Sequence, residues 1–391
     1  MRIGIDASNI RRGGGVTHLV EILRAADPQR LGISDVVVWA NREVLQQIED
    51  RSWLTKRHHR YLEKSLAFRA SWQRYLLRHD AISQGCDLLF FPGGTNSSGF
   101  RPAVVMSQNL LPFELRELRR YGFSSLTVKL LLLRATQSTS FRNASGVVLL
   151  SRYAKQVIER AMGRGFKRCS VIPHGINSRF LMAPRRQRPQ SEFTSTEPCR
   201  VVYVSIVDQY KHQWHVVTAV AELRRMGYCV ELELIGPYYL PALKRLQKSI
   251  TKQSAKDFVH YRGAVDYAEL HTRYRSADIN IFASSCENMP NILLEGMAAG
   301  LPIACSNRGP MPEVLGEGGV YFDPEDPGDI RRALSLLIES AELRSRKSEI
   351  SFKRASQFSW QKTADDTFAY LAEIARQECE SSEGMARHKP A

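Results

Sequence analysis

The clearest fold signal in the chain is INIFASSCENMPNILLEGMAAGLPIACS, residues Ile279 to Ser306. Its pattern predicts a strand over Ile279–Ser284, a polar loop, a helix over about Asn291–Ala299 and a second buried strand over Leu301–Cys305. A strand that feeds a helix through a polar loop can bind an anion, because unpaired backbone N–H groups and the positive end of the helix dipole converge there.

Two glutamates bracket the start of that helix, Glu287 in the loop and Glu295 inside the helix. Pro290 suits the first helical turn, where a missing N–H is not needed, and Gly300 suits a left-handed helix end. The neighbours of Glu295 are apolar, so a buried carboxylate there requires hydrogen-bond donors. A lone glutamate in such a place favours a structural salt bridge, whereas the pair around a helix N-terminus favours a ligand site.

The composition indicates two globular domains and an anionic partner. A chain of 391 residues is too long for one hydrophobic core and suits two domains. Its 43% hydrophobic and 24% charged residues are ordinary values for a globular protein. The net charge of +15 points to nucleic acid, anionic lipid or phosphate-bearing substrates. Seven cysteines without metal-ligand spacing favour the cytoplasm. The first residues read as a strand and no apolar run is long enough to span a membrane, so we expect a soluble or peripheral protein.

Strands alternate with helices on both sides of an aperiodic segment rich in Pro, Ser, Thr and Arg. This pattern implies parallel sheets covered on both faces, with ligands at the carboxyl ends of the strands. We therefore predict an α/β protein of two doubly wound, Rossmann-like domains facing across a cleft. The expected divisions are a first domain (1–181), a linker (182–199), a second domain (200–357), a helix crossing back to the first domain (358–377) and a disordered tail (378–391).

Three glycines, Gly13, Gly14 and Gly15, lie between the first predicted strand and an amphipathic helix. Glycines at such a junction let the backbone approach a ligand closely and leave N–H groups free. A plain tight turn explains them equally well, although Arg11 and Arg12 beside them favour a phosphate contact.

The segment Arg51 to His79 holds eight lysines and arginines, one glutamate and five aromatic residues. Projected on one helix, its basic face comprises Arg60, Lys64, Arg74 and Arg78, and Trp72 lies on the opposite, apolar side. A basic face with interfacial aromatics is typical of a membrane-surface helix. A helix packed on its domain with a solvated charged face is an equal alternative. A second basic and apolar segment runs from Glu114 to Arg134.

The stretch Val259–Asp326, from VHYRGAVDY to GGVYFDPED, resembles the retaining glycosyltransferases of family 4. It holds their strand–Gly turn, their E-x7-E loop and helix, and their P-E-V-x-G segment, and weaker matches extend to about Arg376. The resemblance implies the GT-B fold, transfer of a sugar from a nucleotide diphosphate, and no metal or other cofactor.

By this resemblance, Glu287 lies against the donor sugar and Lys211 neutralises the leaving diphosphate, which makes both catalytic. The resemblance also places Asn291 and Ile292 at the diphosphate and Glu295 at the ribose, so that the second domain (200–357) binds the nucleotide sugar and the first domain (1–181) lies on the acceptor side. The base is expected at the backbone around Arg262 and Val265. Gly14 and Gly15 are expected donor contacts from the glycine junction.

The chain departs from the family in its positive charges and in its first-domain dyad. Ser205-Ile206 stands where relatives have Gly-Arg, and Arg11, Arg12 and Arg152 are candidates for the missing charge. Gln108-Asn109 stands where many relatives have His-Asp. Neither amide is a useful base, so Asn109 would position substrates while the departing phosphate takes the acceptor proton. A polar strand end is an equal alternative for this pair.

These observations predict a metal-independent, retaining glycosyltransferase that uses a UDP- or GDP-sugar donor. Its acceptor would be a saccharide, with a polyprenyl-diphosphate link, in bacterial surface polysaccharide assembly of the O-antigen or capsule type. The site would lie at an anionic membrane surface, the inner face of the cytoplasmic membrane, and would not bind nucleic acid. The alternatives are a sugar-nucleotide epimerase or hydrolase on the same fold, and a basic binding protein without catalysis.

Overall fold

The structure, a computed structural model, describes residues 1–11 and 13–387. The strands are β1 Arg2–Asp6, β2 Asp35–Trp39, β3 Leu54–Arg57, β4 Leu88–Phe91, β5 Ala103–Met106, β6 Gly146–Leu149, β7 Cys169–Val171, β8 Cys199–Val204, β9 Val230–Ile235, β10 Val259–Tyr261, β11 Ile279–Phe282, β12 Ile303–Ser306 and β13 Gly319–Phe322. The helices are α1 Gly14–Ala25, α2 Arg42–Gln47, α3 Leu66–Ser71, α4 Leu77–Ser83, α5 Leu115–Leu118, α6 Ser125–Asn143, α7 Arg152–Met162, α8 Gln213–Arg225, α9 Leu240–Lys252, α10 Leu270–Ser276, α11 Asn291–Ala298, α12 Met311–Leu315, α13 Pro327–Glu339, α14 Ala341–Ala355 and α15 Trp360–Arg387.

The strands form two parallel sheets. The first has the order β3-β2-β1-β4-β5-β6-β7 and the second the order β10-β9-β8-β11-β12-β13. Strands such as β4, β5 and β11 are buried along their whole length, because helices cover both faces of a parallel sheet of this kind. The prediction of two doubly wound, Rossmann-like domains is confirmed.

The chain divides into two compact units. The first holds Met1–Phe113, Ser125–Gly175 and the described residues from Ser359 onward, and the second holds Glu114–Ser124 and Ile176–Phe358. This division differs from the expected boundaries in three places. Residues 176–181, expected in the first domain, belong to the second unit. A short segment of the first half belongs to the second unit, and the expected linker (182–199) packs within the second unit, where Arg185 and Arg188 bind Asp278.

The stretch from β11 to β12 folds as predicted, with small shifts. Pro290 caps α11 from one position before its first residue, instead of standing inside the first turn. Gly300 has a φ of +65°, as expected for a left-handed helix end. A Cβ on Gly300 would lie 2.5 Å from the carbonyl oxygen of Met182, so this end of α11 also leaves no room for a side chain.

The prediction of one amphipathic helix over Arg51–His79 is wrong. The segment holds β3, a 3-10 turn at Arg60–Glu63, α3, a π-helical turn at Trp72–Leu76 and the start of α4. A single helical projection therefore does not apply, because Arg60 and Lys64 precede α3. Trp72 is not interfacial either: it is buried and its ring stacks on His59 with centroids 4.6 Å apart.

The C-terminal helix α15 extends to Arg387. The expected tail (378–391) is therefore helical as far as residue 387, and its last four residues lie outside the described part of the chain. None of the helices in the described part is both long and apolar enough to cross a bilayer.

Candidate active site

Lys211, which is buried, and Glu287, which is half-buried, form an ion pair in the second unit. Lys211 lies in the loop between β8 and α8, and its Nζ atom contacts Oε1 of Glu287 in the loop before α11. Lys211 is only 3% exposed, and its ammonium group lies 5.1 Å from the ring centroid of Phe282. Tyr203 fixes the loop further by donating a hydrogen bond of 2.7 Å to the Lys211 carbonyl. The two residues predicted as catalytic in this unit are thus brought together.

Helix α11 begins beside this pair. Asn291 and Ile292 are its first two residues, and the positive end of a helix dipole stabilises negative charge at this position. The N–H of Asn291 donates 3.1 Å to the Met289 carbonyl, so one of the two predicted phosphate-binding groups is engaged within the loop. A cation and a helix N-terminus are both groups that can bind an anion.

Glu295 is buried on α11 and receives two tyrosine hydroxyls. Tyr267 donates at 3.1 Å, and the Tyr274 hydroxyl lies 3.5 Å from the carboxylate and 3.2 Å from the Ile292 carbonyl, so its one proton is shared between them. The Arg179 guanidinium lies over the Tyr267 ring at 4.0 Å. Burial raises the pKa of Glu295 to about 7, against the lowering effects of the Tyr267 hydrogen bond and the Arg179 charge. The hydrogen-bond donors expected for Glu295 are therefore hydroxyl groups. A hydroxyl group of a ligand can donate to the same carboxylate in their place.

The loops near the predicted base site follow β9 and β10. Arg262 is exposed and its Nε atom donates 3.0 Å to Glu233, so its side chain is held on the sheet edge. Val265 lies half-buried in the same loop. Gly236 is pressed against the Ser205 carbonyl, where a Cβ would approach to 2.2 Å.

At the place of the family arginine the structure has a different contact. The Nε2 atom of Gln213 donates to the Ser205 hydroxyl and to the Ile206 carbonyl, both at 2.9 Å. Of the candidates for the missing charge, Arg11 donates to three carbonyls in the first unit, including Leu62. Arg152 is the first residue of α7, and Arg12 lies outside the described residues.

The first unit brings the glycine turn close to the amide pair. Gly14 and Gly15 open α1 after Gly13, whose φ is +69°, and a Cβ on Gly15 would lie 3.1 Å from the Gln108 side-chain oxygen. Asn109 accepts a hydrogen bond of 3.1 Å from the Leu111 N–H, which is a local turn contact. The side chains of Arg60, Lys64, Arg74 and Arg78 are exposed in this unit.

Sequence reasoning missed Tyr267 and Tyr274. The available signal was a pair of tyrosines seven positions apart in the segment before β11. Nothing in that spacing indicates a contact with Glu295. In the described part of the chain, no group of three or more His, Cys, Asp or Glu side chains could hold a metal ion.

Residues 184–354 match the family model for Glycosyl transferases group 1. A D-inositol 3-phosphate glycosyltransferase of Paenarthrobacter aurescens (strain TC1) is 26% identical over 207 residues, which cover 52% of this chain and 51% of that protein. An MMP alpha-(1->4)-mannosyltransferase of Mycolicibacterium hassiacum is 30% identical over 53% of this chain and 49% of its own length. An O-antigen chain mannosyltransferase B of Escherichia coli is 27% identical over 31% of this chain and 32% of its own. The chain thus spans about half the length of the first two relatives and about a third of the length of the third.

The fold is shared with solved structures over almost the whole chain. Sucrose-phosphate synthase from Thermosynechococcus elongatus superposes with a TM-score of 0.72 at 16% identity and covers 100% of both chains. Anabaena Alr3699/HepE in complex with UDP-glucose gives 0.67 at 17% identity, covering 98% of this chain and 100% of that one. WaaG, a glycosyltransferase involved in lipopolysaccharide biosynthesis, gives 0.66 at 12% identity, covering 95% and 99%.

The matched family model covers β8 through most of α14, including Lys211, Glu287 and Glu295. The solved structures share the arrangement of two parallel sheets. Residues 184–354 are therefore similar to the Glycosyl transferases group 1 family, in a chain that has the GT-B fold.

Proposed function

We propose that the protein is a retaining, metal-independent glycosyltransferase of the family 4 type, with a UDP- or GDP-sugar as donor. The observation that carries this proposal is the contact of Lys211 with Glu287 beside the N-terminus of α11. Such a surface stabilises a leaving diphosphate without a metal, because a cation and a helix N-terminus both act on the charge that develops in the transition state.

The ion pair suggests how donor binding proceeds. Glu287 neutralises Lys211, whose side chain is almost fully shielded from water. A donor diphosphate would take over the ammonium group and leave the Glu287 carboxylate to accept hydroxyls of the sugar. Exchange of one anionic partner for another keeps the buried lysine compensated, which matters because an unpaired buried charge is expensive.

The second carboxylate is suited to the ribose. Glu295 is held by Tyr267 and Tyr274 through hydroxyl donors, and ribose hydroxyls would bind it in the same way. The base would lie on the backbone between Arg262 and Val265. In the first unit, Gly14, Gly15 and Asn109 would contact donor and acceptor, with the departing phosphate taking the acceptor proton.

We further propose a lipid-linked saccharide as the acceptor, at the inner face of the cytoplasmic membrane. The net charge of +15 favours an anionic surface. Helix α6 exposes Val128, Leu131 and Leu132 next to Lys129, and the exposed arginines near α3 and α4 add positive charge. The names of the O-antigen chain mannosyltransferase B and of WaaG support an acceptor in surface polysaccharide assembly.

The test is a transfer assay with UDP-glucose and GDP-mannose, membrane extract as the acceptor source, and a parallel reaction with EDTA. We expect label in the lipid fraction from one donor, undiminished by EDTA, and an unchanged anomeric configuration by NMR. Lys211→Ala and Glu287→Ala should each lower kcat by about 100-fold or more, because each removes a group that acts on the developing charge.

The ion pair adds a matched stability control. Glu287→Ala leaves the buried Lys211 charge uncompensated and should cost about 3 kcal/mol of unfolding free energy. Lys211→Ala leaves the half-buried Glu287 and should cost less, and Lys211→Met with Glu287→Gln should cost clearly less than the sum. Full transfer by both alanine variants would contradict the site. Rapid donor turnover without any acceptor would favour the epimerase or hydrolase, and nucleotide binding without turnover would favour the non-catalytic binding protein.

A further inference from the structure

The segment Glu114–Ser124, which we name the excursion, comes from the first half of the sequence and packs within the second unit. It includes α5 and contacts two separate loops of the second unit. Arg120 binds Glu325 at 2.8 Å, and Tyr121 donates a hydrogen bond of 2.7 Å to Asp208. Asp208 lies three positions before Lys211, so the excursion reaches the loop that carries the candidate catalytic cation.

Glu117 is the buried carboxylate of the excursion, at 4% exposure. Its Oε2 atom accepts a hydrogen bond of 2.7 Å from the Arg120 Nε–H and a second of 2.7 Å from the Ser285 hydroxyl. A carboxylate is rarely buried without such partners, because its desolvation is costly. Ser285 stands two positions before Glu287, so the same carboxylate also reaches the second loop of the site.

Ser285 joins the two loops of the site. Its backbone N–H donates 2.8 Å to the Tyr210 carbonyl, and its hydroxyl lies 2.9 Å from Nε2 of His212. Because the single hydroxyl proton is directed to Glu117, the histidine must be the donor in this contact, which requires the Nε2–H tautomer. The order of donation is therefore His212 to Ser285 to Glu117.

His212 follows Lys211 directly and is completely buried. Burial, with the Arg120 charge adding to it, lowers the pKa of His212 to about 2, so the imidazole is neutral at working pH. Its φ of +53° is unusual for a residue with a side chain and is maintained only where surrounding contacts hold it. The hydrogen bond to Ser285 is such a contact.

We propose that Glu117, Ser285 and His212 form a positioning relay that sets Lys211 against Glu287 for sugar transfer. The inference rests on the proposed function. None of the three touches the reacting atoms in this account. They act by fixing the backbone of the two loops, and a displacement of about 1 Å in a catalytic group is enough to lower a rate by about 100-fold.

The test is kinetic and uses the donor that the wild-type protein accepts, UDP-glucose or GDP-mannose. Ser285→Ala should lower kcat by about 10- to 100-fold, with a KM for the donor within about threefold of the wild-type value. Its melting temperature should fall further than that of Ser348→Ala, which removes another buried serine hydroxyl, bonded within α14, because Glu117 and His212 each lose a buried partner. Ser285→Thr, which keeps the hydroxyl, should recover most of the rate.

A double-mutant cycle makes the proposal independent of any one variant. Glu117→Ala should lower kcat to the same extent as Ser285→Ala, and the double variant should lose little more, since both remove one relay. Additive losses, or a full kcat with only a lower melting temperature, would overturn the relay and leave a structural contact. A wild-type protein that transfers sugar from neither donor would instead overturn the proposed function, and the positioning role of the relay with it.

Discussion

His18 and His174 meet in the core of the first unit with their Nδ1 atoms 3.0 Å apart. The ring of Trp360 lies edge-on to His18, at a centroid distance of 5.8 Å. Burial lowers the pKa of His174 to about 3, and burial together with the neighbouring imidazole lowers the pKa of His18 well below its usual value. Both rings are therefore neutral in the folded protein under conditions where free histidines become charged.

This pair should make the protein sensitive to acid. Above about pH 6.5 neither state binds protons at these rings, so their contribution is constant. Below it, the unfolded chain takes up protons that the folded pair cannot, and each histidine lowers the free energy of unfolding by about 1.4 kcal/mol per pH unit. His174→Asn should reduce this slope by about that amount between pH 6.5 and 4.5 in urea titrations.

Above neutral pH the variant and the wild-type protein should show parallel stability curves. An unchanged slope in acid would assign the sensitivity to another buried histidine, such as His212.

At this scale the sequence predicts types of residue better than their partners. Glu295 was expected to need hydrogen-bond donors, and it has them, but Tyr267 and Tyr274 lie 28 and 21 positions earlier and no local pattern connects them to it. The contact of Lys211 with Glu287 spans 76 positions and was expected only through the family resemblance. Likewise, no pattern marks His212 as a left-handed residue, because only the folded loop imposes that conformation.

Among the elements, α11 was predictable because proline and glycine punctuate it and the apolar positions fill the interval between them. The segment Arg51–His79 was not predictable, because a helical projection averages over breaks that it cannot detect. Ser65 precedes α3, and a π-helical turn shifts the register before α4. Periodicity identifies a helix reliably only when its ends are marked.

Gly300 gives a test of how α11 is held. Gly300→Ala should lose about 1–2 kcal/mol from the left-handed backbone alone, and more because the new Cβ would lie 2.5 Å from the Met182 carbonyl oxygen. Gly227→Ala is the matched control. Its φ is also positive, at +93°, yet a Cβ there would meet nothing within 4 Å.

Urea denaturation of the two variants should therefore distinguish the cost of the left-handed backbone from the cost of the steric clash with Met182. Equal losses would mean that the segment at Met182 moves aside freely, and that the end of α11 is not fixed by its neighbour.

For the whole molecule, the sequence indicated two doubly wound units from the alternation of strands and helices, since that pattern is local and repeated. It did not indicate the excursion. Glu117 and Ser285 are 168 positions apart, and a short helix within a basic segment carries no mark of the unit into which it packs. Long-range polar contacts of this kind are formed by the fold and are not encoded in any window of sequence.

The net charge and helix α6 together predict membrane binding. The protein should sediment with vesicles containing phosphatidylglycerol at low salt, because attraction between a +15 chain and an anionic surface is strong until salt screens it. Val128 and Leu132 are 58% and 63% exposed. Replacing both with serine should weaken binding by about tenfold or more, because each buried apolar side chain contributes about 1–2 kcal/mol.

Leu240→Ser is the control, since Leu240 is 53% exposed on α9 of the other unit. It should bind as the wild-type protein does, and neutral vesicles should leave all the proteins in the supernatant. If Leu240→Ser weakened vesicle binding equally, exposed apolar residues would contribute to binding wherever they lie on the surface. Binding that persists unchanged in the α6 variant but disappears in high salt would assign the contact to charge alone. It would place the membrane surface at the exposed side chains of Arg74, in the π-helical turn, and Arg78, in α4, instead.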